Sequence, residues 1–447
     1  MANHEKFIAN DGIYDARKLG TPKMILLGLQ HTFAMFGATV LVPMITGLDM
    51  STTLLMAGLG TLLFHLLTKG KVPAFLGSSF AFLGGYAAIA PKIMLENGQE
   101  VPNIEMLPYA CLGVAAAGII YLILAFFIKS FGVKRVMKFF PPIVTGPIII
   151  SIGLSLAGTA VSSSSTNWTL ALIALSVIII CNIWGKGMVK IVPILIGIVV
   201  SYIAAIFMGV VDFTAVAEAA WIGFPIKAEA LVFGNIKDSS LAISAIIAIA
   251  PIALATMMEH IGDISAISST TEKDFISDPG LHRTLLGDGL ATTLASLFGG
   301  PANTTYGENT GVLALTKVYD PRVVRIAACF AILFSLCPKF AALINTIPAG
   351  IVGGVSFVLY GMISAIGIRN LVENQVDFSK SRNLIIAAVI LVTALGGVQI
   401  PINETASLTS LAIASLAGII LNVIIPGEDY ESKAKDNEVP KGNTYNV

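Results

Sequence analysis

Between residues 24 and 425 the sequence is a succession of apolar stretches. Each is close to the run of about 20 residues that crosses a bilayer as a helix. No other feature restricts the fold as much, because in hydrocarbon every backbone N–H and C=O must be paired inside the protein. Fourteen candidate spans follow, near 24–45, 52–68, 73–90, 107–128, 141–160, 168–184, 191–211, 240–265, 284–298, 301–316, 323–344, 348–368, 384–402 and 405–425. With 55% hydrophobic and only 12% charged residues, the chain is far from the quarter of charged residues in a soluble domain. The expected class is an all-α polytopic membrane protein. Lys plus Arg equals Asp plus Glu, so nothing suggests nucleic acid or an acidic partner.

Orientation follows from the basic residues, which favour cytoplasmic loops. With the N-terminus inside, all of the 27 Lys and Arg fall on the inner side except Lys92, Lys227, Lys237 and Lys339. The bias supports fourteen spans in the cytoplasmic membrane with both termini cytoplasmic; one span more or fewer would destroy it. The first 23 residues are polar and of mixed charge, without the basic start and cleavage site of a signal peptide. Residues 212–238 become an external loop, and the charged tail from Gly427 is expected to be disordered. Cys111, Cys181, Cys329 and Cys337 have neither CxxC nor Cys/His spacing and read as small apolar filler.

Two spans, the third and the tenth, are interrupted. Residues 300–309 carry Gly300, Pro301, a Thr304–Thr305 pair, Gly307 and Glu308, which no lipid-facing helix is built from. Irregular backbone at membrane depth is tolerated only where protein covers it or water lines it. The expected structure is a short extended piece over 302–306 and a half-helix starting near Gly307. Gly77, Ser78, Ser79 and Phe80 form a similar interruption. Fourteen spans split into seven plus seven, and an odd number per half places the halves in opposite orientations. Internal echoes agree: Gln30-His31 with Glu259-His260, Gly77 to Phe80 with Asn303 to Tyr306, and Pro141-Pro142 with Pro348, in the same order and at similar offset. Paired interrupted segments point to a transporter site at an inverted-repeat interface.

Intramembrane carboxylates are the sharpest signal: Glu259 and Asp263 lie in the eighth span and Glu308 in the tenth. A charge at that depth costs at least about 2.5 kcal/mol and is usually functional. Glu259 and Asp263 are spaced i, i+4 and share a helix face; a proton held between two such groups relieves their repulsion. Asp263 lies nearer the inner end, where simple hydration would also explain it. Glu308 falls in the first turn after the break, where it can cap the half-helix as well as meet a ligand. Unpaired amides at two half-helix starts, Ser79-Phe80 and Tyr306-Gly307, are donors for carbonyl oxygens or anions. Donors of that kind opposite two carboxylates suit a flat ring with alternating N–H and C=O groups, such as uracil. Phe80 and Tyr306 could flank such a ring or simply pack. Tyr360 could gate it or bond a neighbour. Gln30, His31 and Asn309 read as a supporting hydrogen-bond network, and His260, about 100° from Glu259 on the helix, as pointing away from substrate. No GxSxG, Walker A, GxGxxG or HExxH pattern occurs, so hydrolase, ATP-driven pump, cofactor and metal chemistry are not expected.

At these residues the chain resembles the nucleobase–ascorbate transporters (the nucleobase–cation symporter-2 family). The resemblance rests on Gln30-His31 with Phe33 through Pro43, Leu76 through Phe82, Met258 through Asp263, Asn303 through Asn309, and Gly353 through Gly361. It implies a core domain of 24–138 and 239–345 and a gate domain of 139–238 and 346–426, with flanking cytoplasmic segments 1–23 and 427–447. It implies short strands in the third and tenth spans, a homodimer in lipid, and proton symport by alternating access. Glu259 and Glu308 would accept ring N–H groups, the amides of Phe80 and Gly307 would donate to ring oxygens, Ser79 and Tyr306 would line the site, and Tyr360 would approach from the gate. Glu259, Asp263 and Glu308 would handle the proton. Purine-type members carry Gln where Glu308 stands, so Glu308 favours a pyrimidine such as uracil. Some members carry His at Asp263, which leaves its role open. Other readings are a xanthine or urate carrier, an anion exchanger or channel of similar layout, and a non-transporting receptor.

Overall fold

The computed structural model describes residues 12–94, 100–401 and 407–427. The start of the N-terminal segment and the tail expected to be disordered lie outside the described residues. In chain order the elements are α1 (Thr21–Thr46), α2 (Met50–Leu67), β1 (Leu76–Ser78), α3 (Leu83–Ile89), β2 (Ile93–Met94), β3 (Glu100–Val101), α4 (Leu107–Phe131), α5 (Val133–Met137), α6 (Pro142–Ser155), α7 (Ala157–Ser165), α8 (Trp168–Trp184), α9 (Met188–Ile191) and α10 (Pro193–Phe207). There follow α11 (Thr214–Glu218), α12 (Ser239–Ile249), α13 (Ala253–Thr271), α14 (Leu281–Leu297), β4 (Asn303–Thr305), α15 (Gly307–Thr316), α16 (Pro321–Ser335), α17 (Pro338–Asn345), α18 (Ala349–Glu373), α19 (Ser381–Leu395), β5 (Ile400–Pro401), β6 (Ser407–Leu408) and α20 (Ser410–Ile424).

Helix starts follow local chemistry. Asp49 accepts from the amide of Thr52 at 2.9 Å to cap α2, and Asp238 caps α12 through the amides of Ser240 and Leu241. Proline stands in the first two positions of α4, α6, α10, α16 and α17, where its missing N–H costs nothing. Among the described residues, six helical stretches are long and apolar enough to cross a membrane, two of them running through α6 and α7 and through α12 and α13, or seven if α16 and α17 form one span; α8, α10, α19 and α20 are shorter apolar helices. A continuous span over 323–344 was expected. Instead α16 and α17 meet at a bend of 86°. Leu336 ends α16, Cys337 is extended, and Pro338 cannot continue the preceding helix.

The helices associate in two groups. In one, α4 packs on α14 and α12, α2 on α14 and α16, and α1 on α16. In the other, α18 packs on α6, α7 and α8, α8 on α10, and α19 on α6 and α20. Small residues allow the close crossings, as is usual in membranes. A β-carbon at Gly118 of α4 would stand 2.6 Å from the carbonyl of Gly289 on α14. One at Gly367 of α18 would stand 2.7 Å from the carbonyl of Gly146 on α6. α13 lies between the groups, touching α4, α14 and α15 on one side and α6 and α20 on the other.

β1 and β4 pair antiparallel, with Leu76 opposite Thr305, Gly77 opposite Thr304 and Ser78 opposite Asn303. The amides of Ser79 and Tyr306 lengthen the ladder, donating to the carbonyls of Ala302 and Phe75, each at 3.0 Å. A two-stranded ladder leaves its outer edges unpaired, and a buried edge needs partners from the protein. Side chains of surrounding helices supply them. The amide of Leu76 donates to Thr61 Oγ1 at 2.9 Å. Thr292 donates to the carbonyl of Asn303 at 2.7 Å. Asn303 Nδ2 donates to the carbonyl of Met56 at 2.6 Å, and Ser78 Oγ to that of Thr39 at 3.0 Å.

Candidate functional site

The chain leaves the ladder by two different routes. After β4 it enters α15 at once: Tyr306 is extended, Gly307 opens the helix, and no side chain caps it. The first amides of a helix have no intrahelical acceptor, so this start faces the site with free donors and the positive end of its dipole. After β1 the chain makes a turn in which the amide of Leu83 donates to the carbonyl of Phe80 at 3.1 Å, and α3 begins only at Leu83. The amide of Phe80 therefore stands in the turn ahead of the helix, not in its first turn. It finds no acceptor among the described residues.

Glu308 lies in the first turn of α15 and Glu259 on α13, which packs beside it. Both side chains are half-buried. Neither makes an ion pair or a hydrogen bond with any other described residue. Asp263 is buried one turn along from Glu259 and accepts from Thr305 Oγ1 at 3.3 Å. Its Oδ1 would lie 3.5 Å from a β-carbon at Gly307. Glu259, Glu308 and Asp288 are all within electrostatic reach of it.

Asp288 carries no role in the sequence reading. It sits fully buried on α14, with Oδ2 at 2.8 Å from Nδ1 of His260. Nε2 of His260 is 2.9 Å from Thr284 Oγ1, and its Nδ1 is 3.2 Å from Thr305 Oγ1. The amide of Thr305 also points at Asp288 Oδ2, at 3.4 Å. His260 is thus turned into α14, where it and Asp288 hold the end of β4. The only sequence signal was a carboxylate within the ninth span, 284–298.

Tyr306 is engaged in the ladder. Its hydroxyl donates to the carbonyl of Ser78 at 2.9 Å and takes a contact from Thr39 Oγ1 at 3.3 Å. Phe80 meets Tyr360 of α18 edge-on, with ring centroids 5.7 Å apart. The Tyr360 hydroxyl and Ser79 Oγ are buried without a partner among the described residues. Asn309 Nδ2 lies 3.1 Å from His31 Nδ1 and donates to the His31 carbonyl at 3.2 Å, tying α1 to α15. Gln30 Oε1 and His31 Nε2 are further buried atoms without a partner there. No group of three His, Cys, Asp or Glu among the described residues is placed to hold a metal ion.

The arrangement can bind a flat polar molecule: carboxylate acceptors, free amide donors, an aromatic pair, and unpaired polar atoms around them. The fold is that of known carriers. The transmembrane domain of a cyanobacterium bicarbonate transporter, BicA, superposes with TM-score 0.56 at 15% identity, covering 92% of this chain and 99% of that one. The family whose pattern the chain matches makes it a multi-pass membrane transporter rather than an enzyme. The chain belongs to the Permease family (Xan_ur_permease), whose pattern it matches over residues 22–403. It is 44% identical to the uracil permease of Bacillus caldolyticus over 412 residues, which is 90% of this chain and 92% of the relative. It is 40% identical to the uracil permease of Bacillus subtilis (strain 168) over 425 residues, or 92% and 94%.

Proposed function

We propose that this chain takes up uracil together with a proton across the cytoplasmic membrane by alternating access. The observation that carries the reading is the pair Glu259 and Glu308, two half-buried carboxylates without an ion-pair partner among the described residues, beside an uncapped helix start. An intramembrane carboxylate without a cation needs a proton or a ligand donor to offset its desolvation. Uracil supplies N–H donors to the carboxylates and carbonyl acceptors to the amides of Gly307 and Phe80. Phe80 and Tyr360 flank the ring, Ser79 lies at its edge, and Tyr306, His31, Gln30 and Asn309 hold the two segments in place. The names of the relatives support this substrate.

The proton neutralises one carboxylate of the Glu259, Asp263 and Glu308 set, so the loaded site passes apolar surface with less uncompensated charge. Two bodies move against one another: a core of 24–138 and 239–345, and a gate of 139–238 and 346–426. The helix groups support this division, with α13 at the boundary. In this reading fourteen segments in two inverted halves leave both termini cytoplasmic, and the protein works as a homodimer in lipid. Uptake of radiolabelled uracil into proteoliposomes, with and without an imposed pH gradient, tests it. Uptake that accumulates uracil only with the inside alkaline supports the reading, and accumulation indifferent to the gradient sinks the proton.

The fold shared with a bicarbonate transporter raises the alternative of anion exchange. Two carboxylates in the site oppose it. Competition of uptake by bicarbonate or sulfate, but not by xanthine or 5-fluorouracil, would favour the anion; competition by xanthine alone would favour a purine.

A further inference from the structure

Away from the site, α4, α13 and α20 enclose a groove of about 560 Å³ whose walls are apolar. Leu124, Phe127 and Phe131 line it from α4, Leu254 from α13, and Leu416 and Ile419 from α20. One charged side chain stands among them: Arg135, on the short helix α5. Arg135 is exposed, and it makes no ion pair or hydrogen bond with a described residue. The loop around it is basic, with Lys129, Lys134 and Lys138, and no acidic residue occurs anywhere between Glu105 and Asp212. The loop is fastened to the groove wall, since Asn422 Nδ2 of α20 donates to the carbonyl of Lys138 at 3.1 Å.

We propose that this groove binds an anionic phospholipid, with an acyl chain among the apolar side chains and the phosphate on Arg135. A neutral apolar ligand would fill the groove but leave the guanidinium unanswered. A free phosphate would answer the guanidinium but leave the groove bare. A phospholipid does both, and its phosphate matches the planar fork of arginine. The neighbouring lysines add attraction of the kind that draws polybasic segments to anionic lipid surfaces. The groove spans the two helix groups, α4 on one side and α20 on the other, so the bound lipid sits at their seam. This site is separate from the proposed substrate site, and its test needs no transport.

The test is native mass spectrometry of delipidated full-length protein titrated with dioleoyl-phosphatidylglycerol or dioleoyl-phosphatidylcholine. One tightly retained phosphatidylglycerol is expected, preferred over phosphatidylcholine. R135A should weaken that retention about fivefold, the effect of one basic residue near an anionic lipid surface. Because Arg135 has no partner among the described residues, its replacement should leave the fold intact. I419W fills the groove, keeps the charge, and should also lose the retained lipid. Equal binding of the two lipids overturns the proposal. So does phosphatidylglycerol retention unchanged in both variants. Loss in R135A alone would reduce the site to surface electrostatics and overturn the groove as an acyl site. A change in oligomeric state in I419W with lipid retention unchanged would assign the groove to a second copy of the chain and overturn it as well.

Discussion

A β-carbon at Gly77 would stand 2.5 Å from the ring of Tyr306, and the hydroxyl of that tyrosine donates to the carbonyl of Ser78 at 2.9 Å. The two interrupted segments are therefore locked to each other by side chain as well as by ladder. Gly77→Ala forces the ring or the strand to move, and overpacking of this kind costs ~1–3 kcal/mol. The expected result is a lower melting temperature in detergent and, under the proposed function, a smaller upward shift on adding uracil than in the parent. A variant that melts like the parent would show that the ring has room to give.

Glu308→Gln keeps the shape of the side chain and removes its charge. A hydrogen bond to a charged group contributes about 1.5–3 kcal/mol, so uracil uptake should fall by at least about tenfold. Glu259→Gln should do the same. Wild-type uptake in proteoliposomes of either variant would remove that residue from the substrate. Xanthine competition in the Glu308→Gln protein is a further measure, since a neutral amide there is the purine-type pattern.

Asp288 and His260 predict a different outcome. Both side chains are fully buried, 2.8 Å apart. Asp288→Ala leaves the imidazole and the amide of Thr305 without that acceptor, at a cost of about 3 kcal/mol. Asp288→Asn retains an acceptor and should lose less. Thermal unfolding of the two variants against the parent measures the order, and equal stability of all three would mean that the pair does not hold β4.

The break over 300–309 was legible because its residues are incompatible with a lipid-exposed helix, and α15 begins at Gly307, where composition placed a half-helix. Glu259 and Glu308 were legible for the same kind of reason, as charges in apolar runs. Asp288 escaped notice because the polarity of its segment is explained only by His260 and Thr305, which are distant in sequence. The late start of α3 was hidden because Phe80, Ala81 and Phe82 are as apolar in a turn as in a helix. The bend between α16 and α17 left Pro338 as a signal, but hydropathy ran smoothly across it.

The segment before α1 supplies a pH dependence outside the membrane. The amide of Ile13 donates to the carbonyl of Lys317 at 2.7 Å, and the amide of Tyr319 to that of Ile13 at 2.8 Å, so this segment lies across the end of α15. Asp15 secures it. Hydrogen bonds from Arg17 at 2.8 Å, then the nearby charge of Arg322, hold its carboxyl well below the usual carboxylate range. A lowered folded-state value means that this contribution stands in full above the unfolded value of about 4. It is lost as pH falls through the folded value. Asp15→Asn should reproduce at neutral pH the loosening that acid gives the parent, read as faster hydrogen exchange at Ile13 and Tyr319. High salt should weaken the latch in the parent and change the variant less. Identical exchange in parent and variant would show that the backbone pairs hold the segment without Asp15.

The ladder between β1 and β4 also constrains how such a chain can be made. The ribosome delivers Leu76–Ser78 long before Asn303–Thr305. Until the second strand arrives, the first has the amide of Leu76 on Thr61 Oγ1 but its other edge open, a state that is unfavourable in hydrocarbon. Arrival of its partner closes that edge. The three-residue pairing, with the Tyr306 hydroxyl on the Ser78 carbonyl, ties the late segment to the early one.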